Sequence, residues 1–399
     1  MGFKTLKTMI SFEEAIQITN GFALPFRREH VDLLDALNRT LAEDIISDIA
    51  MPPFNKSAMD GYACRKSDLK NILHIIEEIG AGAIPQKTIG ENQCARIMTG
   101  AKVPEGADIV IMKEDVEETG SERIRLITEN LRTNICYEGE DVRFGDLVLR
   151  KGDLILPAQI AILASVGCTN PLVYAVPSVS IISTGNELVE PDQNPGIAKI
   201  RNSNSYQLAA QVQQLGITPV YLGIIRDEEQ NLLDVLTSAI GKYDITIISG
   251  GVSVGDFDFV PKILKSLNVN IRVHGMNVRP GKHLLFGEKE NHFIFGMPGN
   301  PVSSFVQFEV LVRPFINTLL GKTKAETFLY LPIEEEYIRK KGDLLIFVPV
   351  TLTRKGTVLP LEYHGSAHIH AYSLAQGIME IPQGISTIKK GETVRVRPL

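Results

Sequence analysis

The sequence predicts a multidomain protein of the α/β-plus-β class: a parallel-sheet α/β domain, a β-rich inserted domain ahead of it and a β-barrel or sandwich at the C-terminal end. Three observations predict it. The chain has 399 residues, 44% of them hydrophobic, and single cores stop growing near ~250 residues. From Pro177 to about Gly321 strand and helix patterns alternate, which calls for a parallel sheet with right-handed crossovers. On either side the chain breaks into short β-prone runs separated by glycine-containing turns.

In chain order, Ser11 in SFEEAIQ stands as a helix N-cap with Glu14 three residues on, the reciprocal capping pattern. A second helix is expected over His30 to Asn38. Met51-Pro52-Pro53 then breaks helix, and the chain becomes strand- and turn-rich through GENQCARIMTGAKVPEGADIVIMKEDVEE. Gly145-Asp146, Gly152-Asp153 and Gly391-Glu392 lie between β-prone runs and read as tight turns. The longest apolar stretch, Leu154 to Val166, contains Pro157 and Gln159 and falls short of the ~20 residues that cross a bilayer; it is expected to be a buried segment. VSIISTG, TPVYLGIIRD and DITIISGG are strands. Between them one helix carries Leu208, Val212 and Leu215 and stops before Gly216, and another carries Leu232, Leu236 and Ile240 and stops before Gly241. FLYLPIEEEY, DLLIFVPVTL, GIMEIP and TVRVRPL are the C-terminal strands. These shifts divide the chain into a discontinuous helical/β linker domain (1–50 and 140–176), the inserted β domain (51–139), the α/β domain (177–325) and the C-terminal β domain (326–399).

A formal net charge of -6 and a pI near 5.8 argue against a nucleic-acid-binding surface, so an anionic substrate must be met locally. MGFKTLKTMISFEEA lacks the apolar core of a signal peptide, and Leu6 spoils a myristoylation pattern. A cytoplasmic protein without membrane attachment is expected. Cys64, Cys94, Cys136 and Cys168 form no CxxC pair and read as reduced, structural thiols. His364, His368 and His370 lie close together, which alternation in a β-rich region explains as well as metal binding does.

Ligands of an open parallel sheet bind beyond the carboxyl ends of its strands. There the sequence places Thr184-Gly185-Asn186-Glu187, Arg226-Asp227, the run Gly250-Gly251-Val252-Ser253 through Asp258, and Pro298-Gly299-Asn300-Pro301. Asp227 and Asp258 each precede a helix and read equally well as caps, but capping leaves the accompanying glycine loops unexplained. Such loops free backbone N–H groups to cradle an anion. Carboxylates beside phosphate call for a divalent cation, and Mg²⁺ with oxygen ligands is the usual solution. Arg279-Pro280-Gly281-Lys282-His283 puts two cations on a tight turn that suits an oxyanion, or else a solvated hairpin. GGVSVGD lacks the lysine of a nucleotide P-loop. The residues alone thus indicate a phosphorylated ligand with a metal.

FNKSAMDGYA, RIMTGAKVPEGAD, GEDVRFGD, ISTGNELV, IRNSNSYQL, SGGVSVGDFDF, RPGKHLLFG and MPGNPVSSF, in that order and over nearly the whole chain, resemble the molybdopterin molybdenumtransferase family, MoeA in bacteria and the gephyrin E-domain type in animals. The resemblance implies a homodimer of four-domain subunits whose α/β domain binds molybdopterin, with the cleft completed by the SAMDGYA domain of the other subunit. It implies a Mg²⁺-dependent reaction of adenylylated molybdopterin with molybdate that yields molybdenum cofactor and AMP, and a transient contact with the molybdopterin adenylyltransferase. Carried over by motif, the functional acids are Asp60, Asp141, Glu187, Asp227 and Asp258, joined by Thr99; the metal falls to Glu187, Asp227 and Asp258. Molybdate falls to Lys282, Arg279 and Ser366, and the pterin to Gly250, Gly251, Ser253, Pro298, Gly299, Asn300 and Pro301. This chain departs from the common family form at Asn55-Lys56, where an Asp-Asn pair is usual, at Arg279, where Lys is frequent, and at Asn186, where Asp is frequent. Arg is planar and bidentate where Lys is a point charge, which bears on anion preference. Two other readings stay open: a molybdopterin adenylyltransferase-like enzyme on the same α/β domain, which the extra β-domains disfavour, and a non-catalytic gephyrin-type scaffold, for which the chain is short.

Overall fold

The computed structural model describes residues 9–23, 27–128, 132–252, 259–322, 327–363, 365 and 368–399. Ser253, Asp258, His364 and Ser366 lie outside the described residues. Helix α1 (Phe12–Asn20) is capped by Ser11, whose hydroxyl accepts the Glu14 N–H at 3.1 Å, one half of the reciprocal pattern its sequence offers. The helix expected over His30 to Asn38 does not form. Arg28–His30 is a strand paired with Leu172–Tyr174, and Leu33–Ala36 makes a single 3₁₀ turn without a side-chain cap. So short a segment nucleates helix poorly, and tertiary pairing wins. Leu154 to Val166 is not a buried segment either. Its centre is helix α2 (Pro157–Ser165), in which only Leu163 is fully buried, because a helix on the surface of a small domain hides one face.

The α/β domain is built on a six-stranded sheet: β1 (Val179–Thr184), β2 (Val220–Ile225), β3 (Ile245–Ser249), β4 (Asn270–His274), β5 (Leu285–Lys289) and β6 (His292–Met297), in the order β2-β1-β3-β6-β5-β4. β1, β2, β3 and β6 pair in parallel, β5 runs antiparallel beside β6, and β4, antiparallel to β5, points the same way as the first four. Alternate residues serve opposite faces, as a period of two requires. Ile181, Ile247 and Phe295 join one core with α1, α3 (Asn204–Gln213), α6 (Pro301–Gln307) and α7 (Arg313–Leu319). Ile182, Ile248 and Ile294 join the other with α4 (Glu229–Lys242) and α5 (Val260–Ser266). β1 and β3 are buried on both faces along their whole length, and the Ser180 and Thr246 hydroxyls they carry inward meet each other at 2.8 Å. Leu208, Val212, Leu232 and Leu236 are buried as expected. Gly216 stands at φ +82° just past α3, but Gly241 lies inside α4, which ends at Tyr243 in extended backbone.

The inserted domain carries a second six-stranded sheet in which Gly61–Cys64 lies between Ile109–Met112 and Gln93–Ile97. The C-terminal domain is a small barrel. Its sheet runs Leu345–Leu352, Gly377–Ile381, Thr393–Pro398, Leu329–Pro332, and Val358–Pro360 pairs with Leu345–Leu352. A bridge between Ile333 and Val358 closes the ring. The described histidines of the C-terminal cluster do not alternate along a strand: His368 precedes and His370 lies within a 3₁₀ turn, Ile369–Ser373. The Gly-acid turns do form. Gly145, Gly152 and Gly391 have φ of +88°, +90° and +86°. The acid after each accepts the backbone N–H three residues back, at 2.8, 2.9 and 3.0 Å. Among the described residues no helix is long and apolar enough to cross a membrane.

Candidate functional site

The strand order reverses about β1: its crossovers run to β2 on one side and from β2 to β3 on the other, so a crevice opens at the carboxyl ends of β1, β3 and β6. A cavity of about 470 Å³ fills it, lined by Thr184, Gly185, Glu187, Asp227, Gly250, Gly251, Pro298, Gly299 and Asn300 among others. Loops far apart in sequence converge because their strands end side by side. The Gly250 N–H donates to Met297 O at 3.1 Å, tying the end of β3 to that of β6.

Both glycines after β3 are required by space. At Gly250 (φ +94°) a Cβ would lie 2.5 Å from Thr184 O, and at Gly251 (φ +63°) 2.7 Å from Thr184 Oγ1. Asp227 does not cap α4, whose N-cap is Glu228. Its Oδ2 instead accepts the Asn186 N–H at 3.1 Å, while its own N–H donates to Asn186 Oδ1 at 3.4 Å. This reciprocal link brings the loops after β1 and β2 together and places Glu187 and Asp227 on one wall.

A second lobe of about 570 Å³ is contiguous, sharing His283, Pro298 and Asn300. Arg279 and Lys282 line it, both exposed, with Asp343 and Tyr363 from the barrel on the far side. Burial among tyrosines pushes the Tyr363 hydroxyl up to about 12, against the pull of Arg279, so it stays a neutral donor. One lobe is thus lined by carboxylates and the other by cations. The first can face a phosphate through a cation; the second suits a tetrahedral oxyanion by charge-assisted hydrogen bonds.

Among the described residues no group of three or more His, Cys, Asp or Glu is placed to hold a metal. Asp60, Thr99 and Asp141 do not line either lobe. Asp60 and Thr99 meet each other in the inserted domain: the Thr99 N–H and hydroxyl both donate to Asp60 Oδ1 at 2.7 Å. These two bonds hold the Asp60 carboxyl below its ordinary range. Asp141 sits exposed beside the bridge between Met51 and Val142.

Several cleft residues were not singled out in the sequence. Asn204 Nδ2 donates to Ser249 Oγ at 3.0 Å and to Gly299 O at 2.8 Å, so it fixes the end of β3 against the turn before α6. Ile200 lines the crevice, as does His283, which the sequence showed only as the end of the Arg279–Lys282 turn. Asn204 and Ile200 lie within or beside IRNSNSYQL, a run with helical character whose chemistry emerges only when α3 packs beside β3. Another cleft, of about 550 Å³, lies between α1, α7 and the barrel and contains none of the expected site residues.

Fold and crevice together define an α/β protein with a polar crevice at a topological switch point, set between β-rich domains. Three family models match the chain: "MoeA N-terminal region (domain I and II)" over residues 10–167, "Probable molybdopterin binding domain" over 180–318 and "MoeA C-terminal region (domain IV)" over 333–399. The chain is 35% identical over 401 residues to a molybdopterin molybdenumtransferase of Staphylococcus epidermidis, spanning 98% of this chain and 96% of that one. It is 34% identical over 405 residues to that of Bacillus subtilis, spanning 98% and 94%. A crystal structure of the molybdopterin biosynthesis MoeA protein of Pyrococcus horikoshii OT3 superposes with a TM-score of 0.84 at 29% identity, covering 98% of this chain and 100% of that one. The chain belongs to the molybdopterin molybdenumtransferase (MoeA) family, and is a transferase.

Proposed function

We propose that the crevice inserts molybdate into adenylylated molybdopterin with release of AMP, and that the step depends on Mg²⁺. The observation that carries this reading is the contiguity of a carboxylate lobe and a cationic lobe at the ends of parallel strands. Glu187 and Asp227, with Asp258, would hold Mg²⁺. Two described carboxylates fit an ion that keeps waters and shares substrate phosphates. When bound, it supplies Lewis-acid polarisation of the pyrophosphate. Gly250, Gly251 and Ser253, with Pro298, Gly299, Asn300 and Pro301, receive the pterin end, where the glycines let backbone approach the ligand. Arg279 and Lys282, with Ser366, hold molybdate by charge.

We further propose a cytoplasmic homodimer in which Asp60, Thr99 and Asp141 of one subunit close the crevice of the other, with a transient contact to the adenylyltransferase that delivers the pterin. The domain bounds 1–50 with 140–176, 51–139, 177–325 and 326–399 are likewise proposed. Separate apolar cores around Leu41 and Leu163, around Ile97 and Val110, and around Val348 and Val396 support the linker, inserted and C-terminal units, while α1, within 1–50, packs into the α/β core.

The test is AMP release from adenylylated molybdopterin with Mg²⁺ and molybdate, tungstate or neither. Release should require oxyanion and Mg²⁺, and Asp227→Ala should lower it by roughly a hundredfold or more. Lys282→Ala should act chiefly by raising the KM for the oxyanion. Release from folded Asp227→Ala at the parent rate would overturn the metal assignment, and no release by the parent would overturn the reaction.

A further inference from the structure

We propose that Gln307 is a positioning residue for the turn Arg279–Lys282, and that it sets oxyanion affinity without touching the ligand. This rests on the oxyanion reading of that turn and deepens it. The chain entering the turn is held twice. Ile10 clasps it, with the Ile10 N–H donating to Gly275 O at 3.3 Å and the Asn277 N–H to Ile10 O at 2.8 Å. Val278–Arg279 then pairs in parallel with Leu345–Ile346 of the barrel. Beyond Arg279 the Lys282 carbonyl accepts the Met276 N–H at 2.9 Å. The apex between the two cations rests on Gln307, whose Nε2 donates to Pro280 O at 3.0 Å.

Gln307 is fully buried and is the last residue of α6, directly before the π-helical segment Phe308–Val312. Gly281 (φ +94°) packs on it so closely that a Cβ would lie 2.5 Å from both Cγ and Nε2 of Gln307. The glycine of the turn is therefore the counterpart of this side chain. Gln307 Oε1 is buried without a hydrogen-bond partner among the described residues. A buried acceptor left unmet weakens a fold, so stability does not account for an amide here. Its donor does something an apolar side chain cannot: it engages the Pro280 carbonyl, the acceptor that lies between Arg279 and Lys282. Because α6 starts at Pro301 and ends at Gln307, one helix of two turns fixes the spacing between the pterin-binding turn and the oxyanion-binding turn.

Gln307→Met removes donor and acceptor at nearly constant length, and Gly281→Ala disturbs the same contact from the other side. The Met variant exchanges one unmet buried acceptor, Gln307 Oε1, for another, Pro280 O, and should unfold near the parent temperature. Its KM for molybdate should rise roughly ten- to a hundredfold, as a misplaced binding group costs, with kcat at saturating molybdate and the KM for adenylylated molybdopterin little changed. Calorimetric titration of molybdate into the dimer should weaken by the same factor, and Gly281→Ala should show the same split. An unchanged molybdate KM in Gln307→Met overturns the proposal. So does a joint fall in kcat and affinity for both substrates, or failure of that variant to fold, since the amide would then be structural. If the parent shows no oxyanion-dependent AMP release, the reaction reading fails first and takes this inference with it.

Discussion

Asp60 shows how a single side chain can carry two meanings. Its neighbours explain its ionisation without a ligand: the Thr99 backbone N–H and then the Thr99 hydroxyl stabilise the carboxylate and lower its pKa from 3.8. A depressed aspartate contributes stability that is present above the unfolded value and lost as pH falls through the folded one. The unfolding temperature of the parent should therefore drop as pH falls below about 3.8 through the lowered range. Asp60→Asn should lose that part of the pH dependence. Superimposable profiles for the two proteins between pH 2 and 5 would show that the pairing does not contribute. Thr99 was legible in the sequence only as a member of MTGA. Its partner follows from register, because Gly61 pairs with Ile97 and the residues flanking that pair come together. Asn186 was legible as a departure from the usual aspartate, but its bond to Asp227 required two loops to meet.

At the scale of the element, the SAMDGYA strand explains its own glycine. A Cβ on Gly61 would stand 1.8 Å from Ile111 O, so the strand can sit between its neighbours only with glycine there. Gly61→Ala should destabilise the inserted domain by about 1–3 kcal/mol, the usual range for overpacking. Thermal unfolding checks this, and a midpoint equal to the parent's would mean the sheet relaxes at no cost. Elements whose signals were local came out as expected: the Ser11 cap, the Gly-acid turns, and the helices bearing Leu208 and Leu232. The expectations that failed are those that tertiary pairing overrides. His30 to Asn38 has helix-compatible composition, yet Arg28–His30 is drawn into pairing with Leu172–Tyr174. Leu154 to Val166 is apolar enough to be buried, yet its domain offers one face to cover.

Across the whole molecule, Leu34 and Phe144 are 78% and 76% exposed, large apolar side chains on the linker region of the isolated chain. If they lie in the interface of the proposed dimer, charging them should break it. Sedimentation should give twice the mass of one chain, and Leu34→Glu with Phe144→Glu should shift it to the monomer and reduce AMP release together. A dimer that persists in the double variant would place the interface elsewhere. By itself the sequence determined the family, the parallel α/β core and the residues at its strand ends. All of these depend on local pattern, periodicity and motif, which are written along the chain. Only the tertiary structure decided that Asn186 and Asn204 lock the crevice loops, that Asp227 links loops instead of capping a helix, and that the turn Arg279–Lys282 is held by the barrel and by Gln307. Each of those is a contact between segments remote in sequence, and packing, not periodicity, chooses the partners.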